Sequence, residues 1–176
     1  YYHTLGTDPE TDRYELGKGL PKISEVRVIM NPKTGYVICS IQKGDGGEFE
    51  HHMRNPNGTW KKFSEFGDKI IQANFGLNNS VYLLSRVDAP RGKLLLTTAE
   101  EPNPTTAKLL VAETNETIIE SFWDKPSILA TNNFLYVLYQ QGGPSTVRSF
   151  HHDGTPSKTG PTPLPVSSVK EITSVG

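Results

Sequence analysis

The sequence predicts an all-β chain built as a partial β-propeller of four-stranded antiparallel blades, and three observations carry that prediction. Only 35% of its 176 residues are hydrophobic while Gly and Pro number 16 and 13, a balance that favours short strands and frequent turns over long helices. Short β-favouring runs alternate with turn-forming clusters along nearly the whole chain. The same order of run, turn, apolar run and loop recurs, and its second runs start near Tyr36, Tyr82 and Tyr136, about 45 to 55 residues apart.

Taken in order, residues 1–7 read as a strand and are followed by a polar, Gly-containing loop through Gly19. The first full unit begins at Pro21. Its strands are 25–30, 36–41, 49–53 and 60–63, separated by Asn31-Pro32-Lys33-Thr34-Gly35, by Lys43-Gly44-Asp45-Gly46-Gly47-Glu48 and by Asn55-Pro56-Asn57-Gly58. The second unit has strands 70–75, 81–84, 94–97 and 108–112, with a turn at Gly76-Leu77-Asn78-Asn79 and a loop at Asp88-Ala89-Pro90-Arg91-Gly92. A third has 127–130, 134–139 and 147–150, the loop Gln140-Gln141-Gly142-Gly143-Pro144, and a Pro-rich segment ending at Pro165. Blades are therefore expected at 21–66, 67–114 and 115–165, with partial blades at 1–20 and 166–176. Residues 118–123 are the one stretch with a helix-like pattern. A two-sheet sandwich shares the strand and turn content but gives no reason for the central strand to recur between the same turn and loop.

Charge and composition narrow the function. A formal net charge of −1 offers no basic surface for phosphate backbones, so nucleic acid is not an expected partner. No apolar run reaches the roughly 20 residues of a membrane helix. The composition suits a soluble protein of cytoplasm or periplasm. Cys39 is the sole cysteine, so neither an intrachain disulfide nor a cysteine-based zinc site can form, and burial as a small apolar residue is expected. Both ends read as cuts through strands, which suggests a fragment of a longer protein.

Several segments, in order along essentially the whole chain, resemble the propeller domain of the prolyl oligopeptidase family of serine peptidases. They are Tyr1-Tyr2-His3-Thr4-Leu5-Gly6-Thr7, Gly44-Asp45-Gly46-Gly47-Glu48-Phe49, Tyr82-Leu83-Leu84-Ser85-Arg86-Val87-Asp88-Ala89-Pro90-Arg91-Gly92-Lys93 and Pro163-Leu164-Pro165. The resemblance implies a seven-bladed ring paired with an α/β-hydrolase domain that carries Ser, Asp and His and cleaves short peptides after proline, with the propeller gating access. It implies no cofactor and no metal. The hydrolase domain itself is absent: no Gly-x-Ser-x-Gly occurs, and Gly142-Gly143-Pro144-Ser145 lacks the downstream glycine and has proline before the serine.

The candidate residues lie on loops that follow the second strand of a unit, which in the family can face the catalytic domain: Asp45 and Glu48 in the first, Asp88 and Arg91 in the second, Gln141 in the third. At the place of Asp45 the family's mammalian members carry a cysteine, a departure from their pattern. Asp88 and Arg91 can pair with each other or simply serve the turn. His51-His52 and His151-His152 are read on third strands, where neighbouring side chains point to opposite faces, so each pair is expected to have one solvated and one packed ring. Trp60, Trp123, Phe75 and Tyr136 are expected to pack between blades. Three sequons, at Asn57, Asn78 and Asn115, are no more than a turn-rich chain produces by chance. Uncovered blade faces are expected to drive self-association. The competing reading is a stand-alone β-rich binding module with no peptidase role, which the neighbouring reading frame would distinguish.

Overall fold

The computed structural model describes residues 1–121, 126–164 and 167–173. They form three antiparallel sheets in chain order. The first holds β1 (Ser24–Met30), β2 (Val37–Lys43), β3 (Phe49–Arg54) and β4 (Trp60–Ser64), each paired with the next. The second repeats this meander with β5 (Ile70–Phe75), β6 (Ser80–Ser85), β7 (Lys93–Thr98) and β8 (Lys108–Val111). In the third, β9 (Thr117–Ile118) and β10 (Ile128–Ala130) both pair with β11 (Leu135–Gln140), which pairs in turn with β12 (Ser145–Phe150).

Alternation along the strands gives each sheet two apolar faces, and stacking the sheets buries them. Ile38, Met53 and Phe63 of the first sheet meet Ile70, Ala73, Val81, Leu83 and Leu95 of the second in one cluster. On its other face the second sheet contributes Tyr82, Leu84, Leu94 and Val111 to a cluster shared with Ile118, Ile128, Leu135, Val137 and Tyr139. These are blades stacked face to face, as the recurring pattern predicts.

The sequence reading needs four corrections. Residues 1–7 form no strand: Tyr2 makes a single bridge to Arg13 around a 3-10 turn at Pro9–Thr11. The stretch beginning at Ile118 is extended rather than helical, because β9 and β10 sit in line on one edge of β11 as two halves of an interrupted first strand. Gln140 and Tyr139 take Thr117 and Ile118 as partners, and the amide of Ile119 bonds the carbonyl of Leu138. Phe122 and Trp123 lie outside the described residues. The third blade has no regular fourth strand among the described residues; an irregular segment lies along β12, with Phe150 bridging Pro156 and the Ser157 amide bonding the Ser149 carbonyl. Prolines at 156, 161 and 163 supply no amide hydrogen to a ladder, so the edge cannot regularise. Finally, the described part of the tail, 167–173, contains no strand, although the Val169 carbonyl accepts from Ser145 Oγ at 2.6 Å. No helix among the described residues is long and apolar enough to cross a membrane.

Candidate functional site

The loops that follow the second strand of each blade lie on one rim. Loop 86–92 meets the third blade through the Ile118 amide, which donates to the Arg91 carbonyl at 2.8 Å, and β9 pairs there with the last residues of β11, next to loop 141–144. On the other side, the connector between first and second blades ties the rim together: the Arg86 amide donates to the Lys69 carbonyl at 2.9 Å, and Lys43 Nζ lies 6.0 Å from the Phe66 ring centroid.

Each sequence candidate is exposed on this rim. Glu48 is committed to an ion pair with Lys43 at 3.3 Å, both side chains being about half exposed. Asp45, Asp88, Arg91 and Gln141 make no side-chain hydrogen bond or ion pair among the described residues, so they are available to a neighbour. Asp88 and Arg91 do not pair. Asp88 takes a left-handed turn position at φ 50°, and the Arg91 backbone amide bonds Glu113 Oε1 at 2.5 Å. The turn account of this loop holds. Two further rim charges escaped the sequence reading: Arg86 pairs with Glu120 at 2.7 Å, and Arg148 pairs with Glu116. Nothing local in the sequence marks those pairs, because each joins different strands or different blades.

Ser145 opens β12 buried, its backbone amide and hydroxyl both bonded to Ser168 Oγ and the hydroxyl also to the Val169 carbonyl. It is a staple for the tail. Cys39 is buried, and burial together with the nearby Glu50 carboxylate pushes its thiol up to about 11, far from a reactive thiolate. Among the described residues no three His, Cys, Asp or Glu side chains gather as a metal site.

The histidine pairs differ from expectation. His51 and His52 of β3 are both buried, on opposite faces: His51 lies against Phe49 and Phe63 on the face turned to the second blade, and His52 sits beside Glu50 on the other. His52 Nε2 bonds Glu50 Oε1 at 2.8 Å, while neither ring nitrogen of His51 has a partner. His151 and His152 lie in the turn after β12 rather than on a strand; His151 rests 5.5 Å from the Phe134 ring, and His152 Nδ1 lies 3.3 Å from the Tyr82 hydroxyl. Trp60 does not pack between blades. Its indole N–H donates to Glu15 Oε2 at 2.8 Å, and Arg54 and Arg13 converge on the same carboxylate. Those hydrogen bonds, Trp60's foremost, hold Glu15 down at about 2 against the opposing effect of burial. The cluster clips the first 20 residues to the first blade.

The rim can therefore present charged and amide groups to a domain or a peptide. A solved chain from a structural and mechanistic analysis of two prolyl endopeptidases, concerned with inter-domain dynamics in catalysis and specificity, superimposes with a TM-score of 0.75 at 19% identity, over 93% of this chain and 23% of that one. At that identity the likeness speaks for the fold. The present chain thus spans about a quarter of the length of that structure. No curated protein matches the sequence. The family model described as prolyl oligopeptidase, N-terminal beta-propeller domain, matches residues 1–173. With all but three residues matched and three stacked four-stranded-type blades in hand, the chain belongs to the N-terminal β-propeller domains of the prolyl oligopeptidase family.

Proposed function

We propose that this chain is the substrate-gating part of a prolyl oligopeptidase-like serine peptidase, whose α/β-hydrolase domain lies elsewhere in the parent protein and cleaves short peptides after proline. The observation that carries this reading is the rim: three loops in equivalent positions bring Asp45, Asp88, Arg91 and Gln141 to one edge with their polar ends unused. An edge of that kind suits a catalytic domain packed over it, with peptide passing between.

Two measurements test the reading. The isolated chain should not hydrolyse a proline-linked chromogenic peptide; turnover abolished by a serine-directed inhibitor would overturn it. In the full-length parent, rim substitutions such as Asp45→Arg and Gln141→Arg should change KM, and change it differently for a short and a long proline peptide. Asn57→Arg on an exposed turn at the opposite edge should leave both unchanged. Equal effects from both edges would remove the rim from the function.

On the same reading, the outer face of the first blade is a packing surface. Val26, Val28 and Met30 stand exposed there beside Tyr1 and Tyr2. A further blade of the parent, or a second copy when the chain is alone, would cover them. Sedimentation of the isolated chain at low concentration as a compact, stable monomer would count against this.

A further inference from the structure

The two seams between blades are built differently. Across the second seam run directional bonds: Gln72 Oε1 accepts from the Ser121 amide at 3.2 Å and from Ser127 Oγ at 3.3 Å, Tyr82 meets His152, Arg86 pairs with Glu120, and Ile118 bonds the Arg91 carbonyl. Across the first seam, among the described residues, no hydrogen bond or ion pair joins β1–β4 to β5–β8. Among the described residues, what joins these two sheets is apolar contact.

Into that seam the first blade places His51. By strand alternation its ring shares a face with Met53, and Ser40 and Ser64 are its cross-strand partners. The side chain has no solvent exposure, lies edge-on to Phe49 at 6.3 Å and to Phe63 at 5.7 Å, and leaves both nitrogens unbonded; the Ser64 hydroxyl is unpartnered as well. An imidazole buried without a partner is a standing cost that water would remove if the seam parted. We propose that the seam between the first and second blades is the plane at which this domain opens, and that protonation of His51 drives the opening.

The charges around His51 set the sign. From β1, Arg27 and Glu25 share its face; next to it in β3, His52 points to the opposite face with Glu50, and Lys62 of β4 joins them there. The second blade meets this face with Ile70, Ala73, Val81, Leu83 and Leu95; Lys93 shares the face of Leu95, and Asp68 and Lys69 of the connector lie beside it. Burial first, with the neighbouring His52 adding to it, pushes His51 down from 6.5 to about 3 in the closed seam. In an open, wet seam the imidazole regains its ordinary value. Closure is therefore fully favoured above about pH 6.5, and each unit of acidification below it shifts the equilibrium about tenfold toward opening, until pH approaches 3. This mechanism does not depend on the peptidase reading.

Amide hydrogen exchange on the full-length parent protein, corrected for the intrinsic pH dependence, tests it. Between pH 6 and 4, exchange in β3 and β5 should accelerate by up to about tenfold per unit relative to β11 and β12, and His51→Phe should flatten that slope. A slope unchanged in His51→Phe, or the two seams exchanging in step at every pH, would overturn the proposal. Because the variant can fail to fold, deuterium exchange at the His51 ring carbon in the unaltered protein gives a second reading. Ring exchange that is slow at neutral pH and, once corrected for the intrinsic fall of ring exchange in acid, rises with the acid-driven opening supports the proposal; a fast, ordinary titration near 6.5 sinks it.

Discussion

Loop 86–92 and its two neighbours on the rim, 44–48 and 141–144, all contain glycine, yet they are held in opposite ways. In the central loop Ala89 is 1% exposed, the Val87 amide bonds Ser85 Oγ, and Arg91 is gripped at both ends of its backbone, by Glu113 and by Ile118. Gly92 is buried at φ 93°, where a Cβ would stand 2.9 Å from Leu84 Cδ1 and 3.3 Å from Ile118 Cβ. At Gly44, Gly47, Gly142 and Gly143 a Cβ would meet nothing within 4 Å. The flanking loops are held chiefly by their own short bonds, such as Lys43 with Glu48 and Gln140 Nε2 with the carbonyls of Gly142 and Gly143. The central loop is held by residues distant in the chain, while the flanking loops close chiefly upon themselves, with one outside bond from the Gly44 amide to the Ile23 carbonyl at 3.0 Å.

The sharpest way to break the comparison is to fill the space at the two kinds of glycine. Gly92→Val combines a left-handed backbone with overpacking against Leu84 and Ile118 and should cost about 3 kcal/mol or more. Gly44→Ala meets only the backbone penalty at φ 55° and should cost about 1 kcal/mol. Urea denaturation of the two variants reads both values; equal losses would show that the central loop is no more constrained than its neighbours.

A smaller effect is expected from the anchor. Glu113→Ala removes the acceptor of the Arg91 amide and should lower stability by about 1 kcal/mol, with faster hydrogen exchange at that amide. Glu113→Gln keeps an acceptor oxygen and should recover most of the loss. Failure of glutamine to rescue would point to charge rather than to the bond.

The repeat was legible because it rests on local chemistry: β-favouring runs, Asn-Pro and Asp-Gly turns, and spacing. Strands β1 to β8 follow the sequence reading closely for that reason. The third blade was legible only in its centre. Its first strand is in two pieces, β9 and β10, a division that no local signal marks, and its outer edge is irregular because prolines stand where amides are needed. Positions of the candidate residues followed from the repeat, whereas their partners did not. Arg91 meets Glu113 because β8 pairs with β7, Arg86 meets Glu120 because sheets stack, and the Glu15 clip joins residues 39 and 45 positions apart. Burial of His51 likewise required knowing that a second blade closes its face, and that of His52 that Glu50 pairs with it.

The smallest effects are expected where the rim is freest. Glu48→Gln breaks an ion pair whose partners are half exposed, and such pairs contribute about 0 to 1 kcal/mol, so the melting transition should barely move. Asp45→Asn touches no partner and should stay within about 0.5 kcal/mol of the unaltered chain. On the proposed gating role, the same Asp45→Asn change in the full-length parent should alter KM with kcat held, as expected of a group that meets what crosses the rim and not the reacting atoms. Stability unchanged with KM moved is the combination that separates a contact residue from a turn residue. Stability and KM both unmoved would leave gating to the central loop, and with it the rigid part of the rim.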